Sequence, residues 1–356
     1  MPEPRPTLID RRTPPRLHLE GDPSVLVALF RKARLIESGD PKEAEIRFAV
    51  LFCGGGQTCV EGAGASIALK RAGVLNAITT AIGISGGAAD VLYMAAGHPE
   101  KDPHMWMAAA ANPLVSPMRV LLRRGPFVDV EDLMRRANTR DQRFSFDERG
   151  FANTPIGEIY FVAADYDEGV PVFLNPKLES SALAAAFASL KVPAARIQFV
   201  EYTDHSGKRR RLTDGGCVAP PIEAICSKFA PTHLLIIPNR MREKKLIFSK
   251  KIILKIADRL IAKKMPVTLR RQFENRDRLF LRALDAAVDH SRRASTKTLI
   301  AWPSDVVDQW SADLNGTRQA ARDSLRAFTA ALQEAKAVED LEHQHALAAA
   351  RSHLTL

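Results

Sequence analysis

The sequence is short of several things, and each shortage removes a class of protein. Its only cysteines are Cys53, Cys59, Cys217 and Cys226. None forms a Cys-x-x-Cys pair or has zinc-ligand spacing. A disulfide scaffold and a zinc module are therefore excluded, and reduced thiols in a reducing compartment are expected. No apolar run reaches the about 20 residues of a membrane span. The stretch from Met1 to Arg16 is rich in proline and arginine and lacks the apolar core of a secretory signal. A cytoplasmic location is expected.

Cofactor fingerprints are missing as well. No Gly-Lys-Ser/Thr closes a P-loop. In the run after Cys53, a dinucleotide fingerprint would end where Cys59 stands, and no acidic residue follows a second strand at the right distance. The acidic turn Asp165-Tyr166-Asp167-Glu168-Gly169 lacks an EF-hand pattern. His343, His345 and His353 are irregularly spaced. No cofactor and no metal are expected.

The formal net charge is +10, which suits anionic partners. The excess is densest between Arg240 and Lys264, where Ile252, Ile253, Ile256, Leu260 and Ile261 recur at helical spacing. Aromatic interleaving is poor there, which counts against single-stranded nucleic acid. Two readings remain: a helix docked on its own domain with its lysines in solvent, or peripheral contact with an anionic membrane. No nucleic acid is expected.

What is present suits one large α/β domain with extensions. Prolines make residues 1 to about 22 an irregular arm, after which Ser24 is expected to cap a helix. Ile46 to Cys53 is a near-continuous apolar run, the pattern of a buried parallel strand. It enters Gly54-Gly55-Gly56, and a helix from Val60 to Ala72 follows. A glycine turn between strand and helix is an anion cradle, because adjacent N–H groups align there. Leu75 to Thr80 is β-prone and leads to Gly83-Ile84-Ser85-Gly86-Gly87 and a further helical run. Strand, Gly-x-Ser-x-Gly and helix is the layout of a nucleophile elbow; a glycine-rich turn with a serine N-cap has the same letters. Residues 99–156 fit either a lid or a packed helical insertion. Further on, Asp214-Gly215-Gly216 is a turn, or a turn that holds Asp214 near Ser85 as its base.

Taken in order, these motifs resemble the patatin-like phospholipase family. Gly54-Gly55-Gly56 with Gly64, Leu69, Ala72 and Gly73 fits the family's first strand–loop–helix. Gly83 to Gly87 fits its elbow, Ala188-Ser189 with Pro193 its Ala-Ser…Pro helix end, and Asp214-Gly215-Gly216 its second motif. The resemblance covers roughly Ile46 to Asn239, with a weaker echo through Arg326. It implies a three-layer α/β/α sandwich with a mostly parallel central sheet and extra C-terminal helices. It also implies a Ser85–Asp214 dyad, an oxyanion hole at Gly54, Gly55 and Gly56, and structural turn glycines at Gly83, Gly87, Gly215 and Gly216. The implied activity is lipid acyl hydrolysis, of phospholipase A or carboxylesterase type, on a lipid or other acyl-ester substrate. The chain departs from the family where Thr58 and Cys59 replace the loop's usual Arg-Gly, where Phe187 replaces a common arginine, and in the segment after Gly216.

Two alternatives stay open. One is an α/β-hydrolase with a Ser–His–Asp triad, using His233 or His290. The other is a non-catalytic patatin-like lipid-binding protein. The expected organisation is an arm with one helix over 1–44, a catalytic domain over 45–239, a helical extension over 240–330 with a strand near 298–302, and a tail over 331–356.

Overall fold

The computed structural model describes residues 17–111, 130–139, 143–179, 181–193, 199–240, 242, 259, 261–291, 296–303 and 314–354. Most of the basic run, 243–258 and 260, lies outside the described residues, as does much of the lid-or-insertion segment at 112–129.

The centre is a run of parallel strands: β2 (Phe48–Phe52), β3 (Thr80–Ile84), β4 (Glu158–Asp165), β8 (His233–Ile237) and β9 (Lys297–Trp302), in the order β9-β8-β2-β3-β4. Antiparallel strands flank them. β1 (His18–Gly21) pairs with β9, β5 (Pro171–Leu174) and β7 (Arg209–Thr213) pair with β4, and β6 (Val200–Thr203) pairs with β7.

Burial on both faces explains the unbroken apolar runs. Phe48, Val50 and Phe52 of β2 join one core with α1 (Ser24–Ser38), α2 (Val60–Arg71) and α3 (Gly86–Ala95). That core also takes in α7 (Ala182–Leu190) and α10 (Leu314–Leu354). Ala49, Leu51 and Cys53 join the opposite core, with α8 (Ile222–Phe229) and α9 (Val267–Ser291). The period-two alternation of a strand thus feeds two helical layers, and the fold is a mostly parallel sheet flanked by helices on both faces. Smaller helices, α4 (Asp102–Ala111), α5 (Val130–Ala137) and α6 (Glu148–Ala152), lie between β3 and β4 in the chain.

Several local expectations shift. Residues 18–21, read as irregular, form edge strand β1, because their backbone hydrogen-bonds β9. Ser24 is the first residue of α1 rather than its cap, and its N–H donates to the Asp22 carboxylate. The strand before Ser85 begins at Thr80, and Leu75–Ala77 is a short 3-10 turn. The segment read as a tail from 331 continues α10 to Leu354. Leu332, Ala335 and Glu339 are buried there, and Arg31 and Arg34 of α1 both engage the Glu339 carboxylate. Strand β9 and helix α10 share the sheet and the helical layer of residues 45–239.

Candidate active site

Two loops meet at the C-terminal ends of β2 and β3, where open α/β sheets place ligands. The first is the turn after β3. Ser85 has φ 53 and ψ −128, a conformation that costs a non-glycine residue on the order of 1–3 kcal/mol. Three contacts hold it there. The Ser85 N–H donates to Ser189 Oγ at 2.9 Å, and the Ser189 hydroxyl donates to the Val162 carbonyl at 2.6 Å. The Ala88 N–H donates to the Ser85 carbonyl at 2.8 Å. A Cβ on Gly83 would lie 2.6 Å from the Gly87 carbonyl oxygen, and one on Gly87 2.6 Å from the Phe52 carbonyl carbon, so strand and helix close on backbone alone.

The second loop is Gly54–Gly56. A Cβ on Gly54 would lie 2.7 Å from Ser85 Cβ and 3.3 Å from its Oγ, so the loop rests directly on the serine. Gly56 has φ +62 and opens a short 3-10 turn into α2. Among the described residues no acceptor takes the Gly54 or Gly56 N–H. The Gly86 and Gly87 N–H groups, the first two of α3, also lack intrahelical acceptors by construction.

Asp214 arrives from β7. Its N–H donates to the Lys191 carbonyl at 2.8 Å, and the Cys217 N–H donates to its carbonyl at 3.0 Å. The Gly216 N–H donates to its Oδ1 at 2.6 Å. The Ser85 hydroxyl donates to its Oδ2 at 2.7 Å. Gly215 leaves no room for a side chain, since a Cβ there would meet the Val162 carbonyl and lie 2.9 Å from Ile84 Cγ2. Both Ser85 and Asp214 are buried. Burial pushes the Asp214 carboxyl up to about 6, against the Ser85 hydroxyl, the Gly216 N–H and the Arg276 charge, which draw it down.

The structure thus brings together Ser85, Asp214 and the Gly54–Gly56 loop. Among the described residues it does not bring a histidine to them. His233 opens β8 opposite Phe48, at the far end of the strands, where Thr232 is its neighbour. The side chain of His290 lies outside the described residues. Among the described residues no group of three His, Cys, Asp or Glu side chains is placed to hold a metal ion.

Behind the glycine loop lies a buried polar cluster that sequence reasoning missed. Asn239, just beyond β8, is fully buried, with φ +55. Asp90 on α3 and Asp102 on α4 are fully buried as well. Burial pushes both carboxyls up, and Asp102 raises Asp90 further. Ser189 was legible only as part of the Ala-Ser…Pro spacing. Asn239 and Arg276 had no local signal, because each acts on a residue distant in sequence. At the start of the basic run, Arg240 stacks 3.2 Å over the Phe280 ring and pairs with Asp277, and Arg242 pairs with Glu20 and Asp285. The four cysteines are free.

Fold and site together define an α/β protein with a serine and an aspartate joined at the strand ends. No family model and no curated protein sequence matches the chain. Similar solved structures include VipD from Legionella pneumophila, with 11% identity and a TM-score of 0.39 over 92% of this chain and 72% of that one. Another is human GIVD cytosolic phospholipase A2 in complex with methyl gamma-linolenyl fluorophosphonate, with 13% identity and a TM-score of 0.40 over 92% of this chain and 66% of that one. At that level of similarity neither structure assigns a family or an activity to the chain. Among the described residues no helix is long and apolar enough to cross a membrane.

Proposed function

We propose that the chain is a serine lipid acyl hydrolase, of phospholipase A or carboxylesterase type, working through a Ser85–Asp214 dyad. The observation that carries the reading is the 2.7 Å hydrogen bond from the Ser85 hydroxyl to Asp214, made from a strained strand–turn–helix corner beside a glycine loop. The order of motifs in the sequence, with its resemblance to patatin-like phospholipases, supports the same reading.

In this reading Ser85 Oγ attacks the ester carbonyl carbon and passes its proton to Asp214. The carbonyl oxygen becomes an oxyanion, met by loop N–H groups at Gly54–Gly56 and by the N-terminus of α3. Asp214 then gives the proton to the leaving alkoxide, and an acyl-serine remains. Water attacks the acyl carbon with Asp214 taking its proton, and that proton returns to Ser85 as the acid departs. A carboxylate is an ordinarily weak base, and burial is what raises the proton affinity of Asp214. The Ser–His–Asp alternative has no such support, since the described partner of Ser85 is a carboxylate.

The test is active-site labelling with a fluorophosphonate. The parent protein is expected to label at one serine and to hydrolyse a soluble short-chain ester, and Ser85→Ala to do neither. Labelling that persists in Ser85→Ala would assign the chemistry elsewhere. A parent that neither labels nor hydrolyses would favour the non-catalytic lipid-binding alternative.

A further inference from the structure

Both ends of the glycine loop are tied to one residue outside it. Asn239 Nδ2 donates to the Cys53 carbonyl at 2.8 Å and to Asp90 Oδ2 at 2.8 Å. Both neighbours are acceptors, so the amide's two N–H bonds are matched to two oxygens. At the other end of the loop, the Thr58 hydroxyl reaches the Asn239 carbonyl and lies 2.8 Å from the Gly55 carbonyl. The side chain of Asn239 therefore holds Cys53 and its main chain holds Thr58.

Asp90 makes this more than a loop clamp. It lies on α3, one turn past the Ser85 corner. The amide thus joins the helix that carries the serine to the strand end that carries the loop. A trans peptide sets N–H opposite to C=O, so tying the Cys53 carbonyl also sets the direction of the Gly54 N–H. Space is kept for the tie on the α2 side. A Cβ on Gly62 would collide with Asp90 Oδ2 and lie 2.6 Å from Asn239 Oδ1.

We propose that Asn239 is a positioning residue: its amide, anchored on Asp90, holds the Cys53–Gly54 peptide in register with Ser85, so that the loop N–H meets the oxyanion. This rests on the hydrolase reading above. Asparagine suits the position on two counts. It supplies two donors where aspartate supplies at most one, and it tolerates the left-handed backbone that φ +55 requires.

The test compares Asn239→Asp and Asn239→Gly with the parent, on the full chain. Aspartate is isosteric and keeps at most one donor, the O–H of its protonated form, so at least one of the two bonds is lost. Glycine loses the whole amide but keeps the backbone free to adopt φ +55 and the carbonyl that meets Thr58, so it serves if the buried aspartate prevents folding. Folding is checked by circular dichroism and thermal melting. The readouts are kcat and KM on a soluble p-nitrophenyl ester, and affinity for an alkyl boronic acid, which forms a tetrahedral anion on the serine. For the folded variants kcat is expected to fall about 10²-fold with KM within about threefold, because misplacing a transition-state contact has that effect. Boronate affinity should fall in parallel. A folded Asn239 variant with parental kcat, or one whose loss lies in KM alone, overturns the positioning role while leaving the hydrolase reading intact. A parent protein inert to ester, fluorophosphonate and boronate overturns the hydrolase reading and this role with it.

Discussion

At the scale of single residues, Asp214 links reactivity to stability. Its carboxyl is raised from 3.8 to about 6, first by burial. As the base it must be ionised, so kcat/KM is expected to be half-maximal near pH 6 and to fall about tenfold per unit below it. The same shift costs stability. Because the folded value lies above the unfolded one, ionisation disfavours the folded state. That cost is fully present above pH 6, fades as pH falls toward 3.8 and is absent below. A shift of about two units corresponds to about 3 kcal/mol. Asp214→Asn removes it but loses about 1 kcal/mol of hydrogen bonding at Gly216. The variant is therefore expected to be about 2 kcal/mol more stable than the parent at about pH 8, with no gain at about pH 4. Urea denaturation at the two pH values checks this; a variant no more stable at the higher pH would contradict it.

At the scale of elements, the site depends on α3 lying against β2 with no side chain between. A Cβ on Gly87 would lie 2.6 Å from the Phe52 carbonyl carbon and 2.8 Å from the Cys53 oxygen, both backbone atoms that cannot swing away. Gly87→Ala must push the helix off the strand, and Ser85 moves with it. A cost of about 3 kcal/mol is expected, with slower fluorophosphonate labelling. Gly73 ends the α2 turn with φ +72 and has open space around it. Gly73→Ala meets backbone strain alone, costs about 1 kcal/mol and leaves labelling unchanged. Thermal melts of the pair separate close approach from strain, and equal losses in stability and labelling would refute the distinction.

At the scale of the whole molecule, the chain's late segments complete the layers that its early segments begin. β9 pairs with β8 and carries β1 on its outer edge. α10 packs on α2 with no room for a side chain at Gly64, whose Cβ would meet Ser324 Cβ at 2.7 Å, and the Ser324 hydroxyl donates to the Glu61 carbonyl at 2.6 Å. Farther along, Glu339 is buried between the helices and engages Arg31 and Arg34. Beyond it residues 341–349 are mostly exposed. Ending the chain after Asp340 is therefore expected to change stability by no more than about 1 kcal/mol, the worth of an exposed ion pair. Ending it after Ala330 removes the buried Leu332, Ala335 and Glu339 and strands two arginines. A loss on the order of 5 kcal/mol is expected there, mostly from the apolar packing. Urea midpoints of the two shortened chains test this, and similar midpoints would show that the end of α10 contributes no packing.

Much of this was legible in the sequence because it is local. Strands buried on both faces must read as apolar runs, and Phe48–Phe52 and His233–Ile237 do. A corner that brings backbone against backbone needs glycines at set offsets, which Gly83 and Gly87 supply around Ser85. An aspartate that caps its own turn needs glycine behind it, which Gly215 and Gly216 supply. These are relations among residues a few positions apart, and backbone sterics write them directly into the residue types. The meeting of Ser85 with Asp214 is different: they lie 129 positions apart, and the order β2-β3-β4-β7 carries one to the other. That order follows from which apolar faces are buried together, a property of the whole chain. The same holds for Ser189 under the Ser85 turn, for Asn239 behind the glycine loop and for Arg276 beside Asp214. Each has an ordinary local context, so nothing near it in sequence marks it. The extent of α10 is the clearest case. The contacts that bury Leu332, Ala335 and Glu339 come from residues far away in sequence, among them Arg31 and Arg34 of α1, and no local pattern marks them. The sequence by itself determined the corners and the strands, since both are satisfied by near neighbours. Tertiary structure alone decided which corners face one another, because long-range burial selects the strand order and only that order closes the distance.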